Sequence, residues 1–221
     1  MSAFTVSEAY QYVNLKLNKL QSNSGDNIPI YAFVNAFNTS QLSWVDNRFK
    51  LNDTNILRKE EIQQLLKSTD PLPVIQVGNY YECNLPTDYF HYERSISVSE
   101  CDLENILKEE ANITRLLKDD AWKPSLEWGE TLATLVNNKL RVYVDGFSIN
   151  SVILTYYRFP LKINMVDGFN DVNGNLNTDI HPEFTGQSLI EILDWTCELL
   201  AGDTQDQWNT QRMMNRAQKN T

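Results

Sequence analysis

The stretch ETLATLVNNKLRVYVDGFSINSVILTYYRF, residues 130–159, decides the fold class. It is dense in β-branched and aromatic residues and is punctuated by Asn137-Asn138 and Asp145-Gly146, two dipeptides suited to tight turns. The punctuation predicts an antiparallel meander over 130–160, with strands at Thr131–Val136, Lys139–Val144 and Ser151–Phe159. Upstream, PVIQVGNYYECNLP (73–86) reads as two strands around Gly78-Asn79, with the first turn residue at positive φ, and a strand from Tyr92 to Val98 follows.

On either side of these strands the apolar period lengthens to that of a helix. Thr5 and Glu8 have the spacing of a capping box, and Val6, Tyr10, Val13, Leu17 and Leu20 draw one stripe behind it. A second helix is expected from Pro29 to about Phe49 through Phe33, Phe37, Trp44 and Val45, forming a helical hairpin with the first. A third, from Asp53 to Lys67, carries Ile62, Leu65 and Leu66. Residues 101–118 are read as helical on Leu103, Ile106, Leu107, Ile113, Leu116 and Leu117. The last helix, 183–201, presents Leu189, Ile190, Ile192, Leu193, Cys197 and Leu200, with Gly202 as its expected cap. The order predicts an α+β fold, a helical hairpin and C-terminal helix packed with antiparallel sheet, rather than a parallel βαβ sheet. Residues 1–202 are read as one domain (helices 6–67, strands 73–98, helix 101–118, meander 130–160, helix 183–201), and 203–221 as a tail.

The chain has 221 residues, 42% of them hydrophobic, enough for a core of its own. With 19 basic and 29 acidic residues its net charge is −10, which argues against gripping nucleic acid through phosphate neutralisation. Three cysteines without short spacing suggest neither a disulfide framework nor a zinc site, and fit a reducing compartment. No basic leader and no run of about 18 apolar residues occurs, so neither secretion nor membrane spanning is expected.

Chemistry is sparse. His91 and His181 are the two histidines and lie apart, with no adjacent motif; His181 is expected to join the start of the last helix. No nucleotide-binding, nucleophile-elbow or zinc-protease motif occurs. Asp171-x-Asn173-x-Asn175 opens like a calcium loop, but Leu176 stands where the glycine is required and Pro182 where a glutamate should close the site. Neither a metal nor a cofactor is expected. Cys197 on an apolar helix face should be an inert thiol with a raised pKa. Glu100, Asp102, Glu104, Glu109, Glu110, Asp119 and Asp120 read as a solvated acidic face. Trp122, Trp128, Tyr143, Phe147, Tyr156, Tyr157 and Phe159 are expected in the core or at a subunit contact. The tail mixes Trp208, Met213 and Met214 with Arg212 and Arg216, a composition that suits ordering on a partner surface.

Several stretches, taken in order, resemble the ring or adaptor virion proteins at the head-to-tail joint of crAss-like and related short-tailed bacteriophages. They are Glu8-Ala-Tyr-Gln-Tyr-Val-Asn-Leu15, Ile28-Pro-x-x-x-Phe33 with Asn35-Ala36, and Leu85-Pro-Thr-Asp-Tyr89. Lys123-Pro-Ser125, the run from Asn138 to Gly146, and Val152-Ile-Leu-Thr-Tyr-Tyr-Arg-Phe-Pro160 complete the set. The likeness spans nearly the whole chain. It departs before the last helix, where Asp179-Ile-His-Pro-Glu-Phe184 replaces the family's Cys-Glu-Leu-Pro run, and in the segment after Gly202, which has no close match.

The resemblance implies a non-enzymatic, connector-like structural protein at the portal vertex or neck of the virion, made in the host cytoplasm. It implies a homo-oligomeric, dodecameric ring whose partners are the portal protein and neighbouring neck or tail rings. Genomic DNA would pass through the channel without specific binding, and Arg158, Trp208, Arg212, Met213 and Arg216 are the expected contact residues. Within the same class stand a tail-barrel ring and a tail-tube component. From other classes stand a soluble enzyme with dispersed active-site residues, such as Cys101 with His91, and a carbohydrate-binding module using Trp122, Trp128 and Tyr143.

Overall fold

A computed structural model describes residues 4–20, 28–50, 60–166 and 178–219, with backbone alone for 18–20 and 203–219. The fold is α+β, with a curled, mostly antiparallel sheet. The chain forms two compact units, one of residues 1–63 with 160–221 and one of residues 64–159.

The first unit is helical. Helix α1 (Val6–Leu20) opens on the expected capping box: the Glu8 N–H donates to Thr5 Oγ1 at 3.2 Å, and the Thr5 N–H donates to Glu8 Oε2 at 2.7 Å. The first helical amide has its own acceptor, since Val6 N–H donates to His181 Nδ1 at 3.2 Å. Val6, Ala9, Val13 and Leu17 are buried along one stripe. Helix α2 (Ile30–Lys50) starts directly after Pro29 and buries Phe33, Phe37, Trp44 and Val45 as expected, together with Ser40 and Gln41. Gln41 reaches out of the helix to donate to Leu161 O at 2.9 Å.

Both helices pack against the last one, here the long helix running from Gly186 to Lys219. Lys16 of α1 pairs with Asp194 at 2.5 Å. The fully buried Trp44 of α2 donates its indole N–H to Glu191 Oε2 at 2.9 Å and meets Phe184 edge-on at 5.2 Å. Arg48 lies over the Trp44 ring at 4.6 Å, pairs with Glu191 and reaches Glu61 at 2.7 Å. The expected helical hairpin, whose members touch where Tyr10 meets Phe33, is therefore part of a three-helix arrangement. Gly202 does not cap the final helix, which continues unbroken past it.

His181 thus serves α1 rather than the final helix. Replacing it with alanine leaves the Val6 amide to water and is expected to destabilise the protein by about 0.5–1 kcal/mol, whereas His181→Asn, which keeps an acceptor, should cost less. Denaturant midpoints of the two variants check this; equal losses would mean that the hydrogen bond contributes nothing.

The second unit is built on strands. They are β1 (Leu66–Ser68), β2 (Leu72–Pro73), β3 (Ile75–Val77), β4 (Tyr80–Asn84), β5 (Tyr89–Val98), β6 (Asp102–Leu107), β7 (Glu130–Val136), β8 (Lys139–Tyr143) and β9 (Ser151–Arg158). Helix α3 (Glu110–Leu116) lies between β6 and β7, and the Gly186–Lys219 helix is α4. The path runs β1-β9-β5-β6-β7-β8-β4-β3. Because β2 also pairs with β9 while β3 pairs with β4, the extended segment 72–77 links both ends of the path and the sheet curls on itself. Bulges at Tyr89/His91 and Tyr92/Arg94 add curvature to β5. Tyr81, Cys83, Leu140, Val142, Leu154 and Tyr156 fill the interior. On the outer side, Ile113 of α3 packs on Leu132 and Tyr143.

Four expectations are corrected. The third helix, 53–67, falls partly outside the described residues (51–59); its end is a tight turn at Gln63–Leu65 followed by β1, where Leu66 pairs with Tyr157. Residues 101–118 are a strand and then a short helix: Leu103 and Asn105 alternate inward on β6, which inserts between β5 and β7. That insertion makes β6 and β7 parallel across α3, a pairing the expected all-antiparallel sheet lacked. The meander holds for β7 and β8, joined by Asn137 and Asn138 at φ 52° and 60°, but β9 pairs with β5 while β4 takes the other edge of β8. The Gly78-Asn79 hairpin is present, with Gly78 at φ +63°.

Candidate interaction site

Two stretches far apart in sequence meet at one end of the sheet. Leu85-Pro86-Thr87-Asp88 forms a turn closed by Tyr89 N–H to Pro86 O at 3.1 Å, and β5 then runs antiparallel to β9 with Tyr89 opposite Arg158. The Asp88 carboxylate accepts from the Tyr156 hydroxyl at 2.7 Å and from Lys67 Nζ at 3.0 Å, while the Asp88 carbonyl accepts from Phe159 N–H at 2.8 Å. Tyr89 stacks on Tyr156 at 5.8 Å, and Phe90 meets Phe159 at 4.8 Å. Burial alone would raise the Asp88 carboxyl; the hydrogen bonds from Tyr156 and Lys67 outweigh it and hold the group below its ordinary range. Arg158 stands here half-buried, its Nη1 donating to Phe159 O at 3.0 Å.

Burial and the Asp88 carboxylate push the Tyr156 hydroxyl far above its ordinary value. Burial pushes Tyr89 up to about 12 and also raises Tyr92 and Tyr143. All four ionise at higher pH folded than unfolded, where the value is about 10. Their contribution is complete below about pH 10 and is lost as pH climbs through the raised values. The denaturant midpoint is expected to be flat from about pH 7 to 9 and to fall steeply above about pH 10, less so in Tyr156→Phe. A midpoint unchanged at about pH 11 would contradict this.

A second polar cluster crosses the β4–β8 ladder. Glu82 accepts from Lys139 Nζ at 2.7 Å and from Arg141 Nε at 2.9 Å, and these bonds hold its carboxyl below the usual range. Arg141 also reaches Glu110 on α3 at 3.3 Å and lies over the Tyr80 ring at 5.1 Å. Every charge in this cluster is matched, as in a structural brace.

The third feature is a rim that follows α3. Trp122 is 46% exposed and Trp128 67%, and the two flank a cleft floored by Ile106, Pro124 and Leu132. Lys108 Nζ stands 4.8 Å from the Trp122 ring centre. Of the two places expected for these tryptophans, the core or a subunit contact, their exposure excludes the core. Tyr143, Tyr156 and Tyr157 are buried as expected, while Phe159 is exposed. The acidic residues from Glu100 to Asp120 are all exposed, but divided between β6, α3 and their flanks rather than ranged along one helix.

Trp208, Arg212, Met213 and Arg216 fall on the outer half of α4, outside the residues whose side chains are described. Asp171, Asn173 and Asn175 also lie outside the described residues. Among the described residues no group of three or more His, Cys, Asp or Glu side chains could hold a metal ion, and no helix is long and apolar enough to cross a membrane.

Cys101 and His91 are not brought together. His91 is near the start of β5 and Cys101 lies just past its end, so the seven-residue step to Val98 alone separates them by about 23 Å. Burial pushes the Cys83 and Cys197 thiols to about 11, as expected for Cys197. Cys101 is exposed. At neutral pH a thiol reagent should modify Cys101 first, with Cys83 and Cys197 slower by on the order of 100-fold until the protein is denatured. Equal rates would contradict the burial.

Compared with known proteins, the chain matches no family model and no curated sequence.

Proposed function

We propose that this chain is a non-enzymatic virion structural protein that forms a homo-oligomeric ring, a head-to-tail adaptor at the portal vertex of a tailed phage. The observation that carries the reading is the junction at Asp88 and Tyr156. Residues 85–89 and 152–160, two of the stretches on which the phage resemblance rests, are joined there by hydrogen bonds, paired strands and stacked rings. Two stretches that hold each other in place form one structural unit, and both belong to the set on which the resemblance rests.

The architecture suits the role. A ring subunit needs a rigid body and segments that reach its neighbours, and closure requires that one patch meet a different patch on the next copy. The curled sheet supplies a body whose interior strands are paired, and α4, at about 51 Å for its 34 residues, is much longer than α2 with 21. In this reading the net charge of −10 disfavours arrest of passing DNA. Portal protein and adjacent neck or tail rings are the partners, and the virion is the location.

Interrupting the gene in the phage that encodes the chain tests the reading. Filled heads and free tail parts that fail to join are the expected outcome. Fully tailed, infectious particles at normal titre would overturn it.

A further inference from the structure

We infer that the ring contact is made by the basic end of α4 from one copy seated on the Trp122–Trp128 rim of the next, an inference that rests on the ring reading above. The rim offers what a docking surface requires. Two tryptophans stand exposed beside a cleft with an apolar floor, and large aromatic rings left in water are the side chains whose burial contributes most to association. Around them, residues 119–130 carry Asp119, Asp120, Glu127 and Glu130 against one lysine, a net charge of −3. All four carboxylates are exposed. Lys123 is engaged by Asp120 at 2.6 Å and Lys108 lies over the Trp122 ring, so the excess of acid along 119–130 is at Asp119, Glu127 and Glu130.

The complementary segment is in the same sequence. Residues 207–219 of α4 carry Arg212, Arg216 and Lys219 and no acid, a net charge of +3 in a chain whose total is −10. The four-residue spacing of Trp208, Arg212 and Arg216 places those three positions along one side of the helix, with position 213 at the edge of that stripe and position 214 on the opposite side. Methionine sulfur packs favourably against aromatic rings, and arginine both stacks on tryptophan and pairs with carboxylates. A +3 segment meeting a −3 rim on a neighbouring copy is a heterologous contact, the kind that propagates around a ring.

The test uses the full chain, followed by sedimentation and mass photometry at low and moderate salt. Concentration-dependent association is expected, weakened about tenfold or more by R212E/R216E, by E127K/E130K, or by Trp128→Ala, each with an unchanged melting temperature. Combining the two charge reversals in one chain should restore association, because the contact is then rebuilt with inverted sign. Three results would overturn the inference. They are a wild-type chain that stays monomeric up to about 100 µM at low salt, variants that associate as well as wild type, or tryptophan fluorescence that is quenched by glycans but unchanged on association. The gene-interruption experiment reports on the ring reading independently, so an adaptor with a different contact surface is distinguishable from a protein that is no adaptor.

Discussion

Trp44→Ala is expected to destabilise the protein by about 4 kcal/mol, within the range for deleting a fully buried large aromatic. Trp44 has no exposed surface, meets Phe184 edge-on and donates to Glu191, and Arg48 covers its ring. Truncation removes the side chain that joins α2 to α4 and leaves a cavity beneath the Arg48–Glu191 pair. Trp44→Phe keeps most of the volume and loses the hydrogen bond, so about 1–2 kcal/mol is expected. Chemical denaturation of both variants provides the measurement. A loss below about 1 kcal/mol for Trp44→Ala would mean that the α2–α4 packing is not where the helical unit derives its stability.

The second large effect is expected at Asn105. Its Oδ1 accepts from the Ser97 hydroxyl at 2.7 Å and from the Thr131 hydroxyl, and its Nδ2 donates to Ser95 Oγ at 2.8 Å. The Tyr92 hydroxyl closes the cluster, 3.0 Å from Ser95 Oγ and 3.2 Å from the Asn105 carbonyl oxygen. Ser95, Ser97, Asn105 and Thr131 are all buried and come from three adjacent strands, β5, β6 and β7. Asn105→Leu has nearly the right volume but strands the Ser97 and Thr131 hydroxyls, while Ser95 keeps Tyr92, so about 3 kcal/mol is expected. Adding Ser97→Ala and Thr131→Val to that variant removes the orphaned groups and should recover most of the loss. No recovery would show that the asparagine acts through shape rather than hydrogen bonding.

The contrast between these two sites shows what the sequence made legible. Trp44 stands on a strict helical stripe with Phe33 and Phe37, so its burial follows from spacing alone. Asn105 lies between Glu104 and Ile106 in a segment whose leucines and isoleucines fit a helical period as well as an alternating one, which is why spacing alone reads β6 as helical. What decides the segment is the pair of open edges that β5 and β7 present, a tertiary fact with no local signature. The turns behaved differently. Asn137-Asn138 and Gly78-Asn79 were legible because positive φ restricts the choice of residue. The partner of β9 was not, since nothing near Ser151–Arg158 distinguishes β8 from β5 as its neighbour.

The candidate site was legible in the same uneven way. Arg158 and its neighbours were marked by resemblance, and the structure adds the Asp88–Tyr156 bond that joins the two marked stretches. The exposure of Trp122 and Trp128 could not be read locally, because aromatics beside strands are more often buried. Their position depends on a connection that follows α3 and leaves the rings at the rim of the sheet. The capping role of His181 was equally hidden, for its partner is 175 residues away.

The proposed adaptor role is tested most directly by looking for this chain in purified virions from its source, with its copy number measured by quantitative mass spectrometry against the major capsid protein. A ring at the portal vertex predicts a small, fixed number of copies per particle, the same in every preparation and on the order of a dozen. Absence of the chain from the particle would contradict the account.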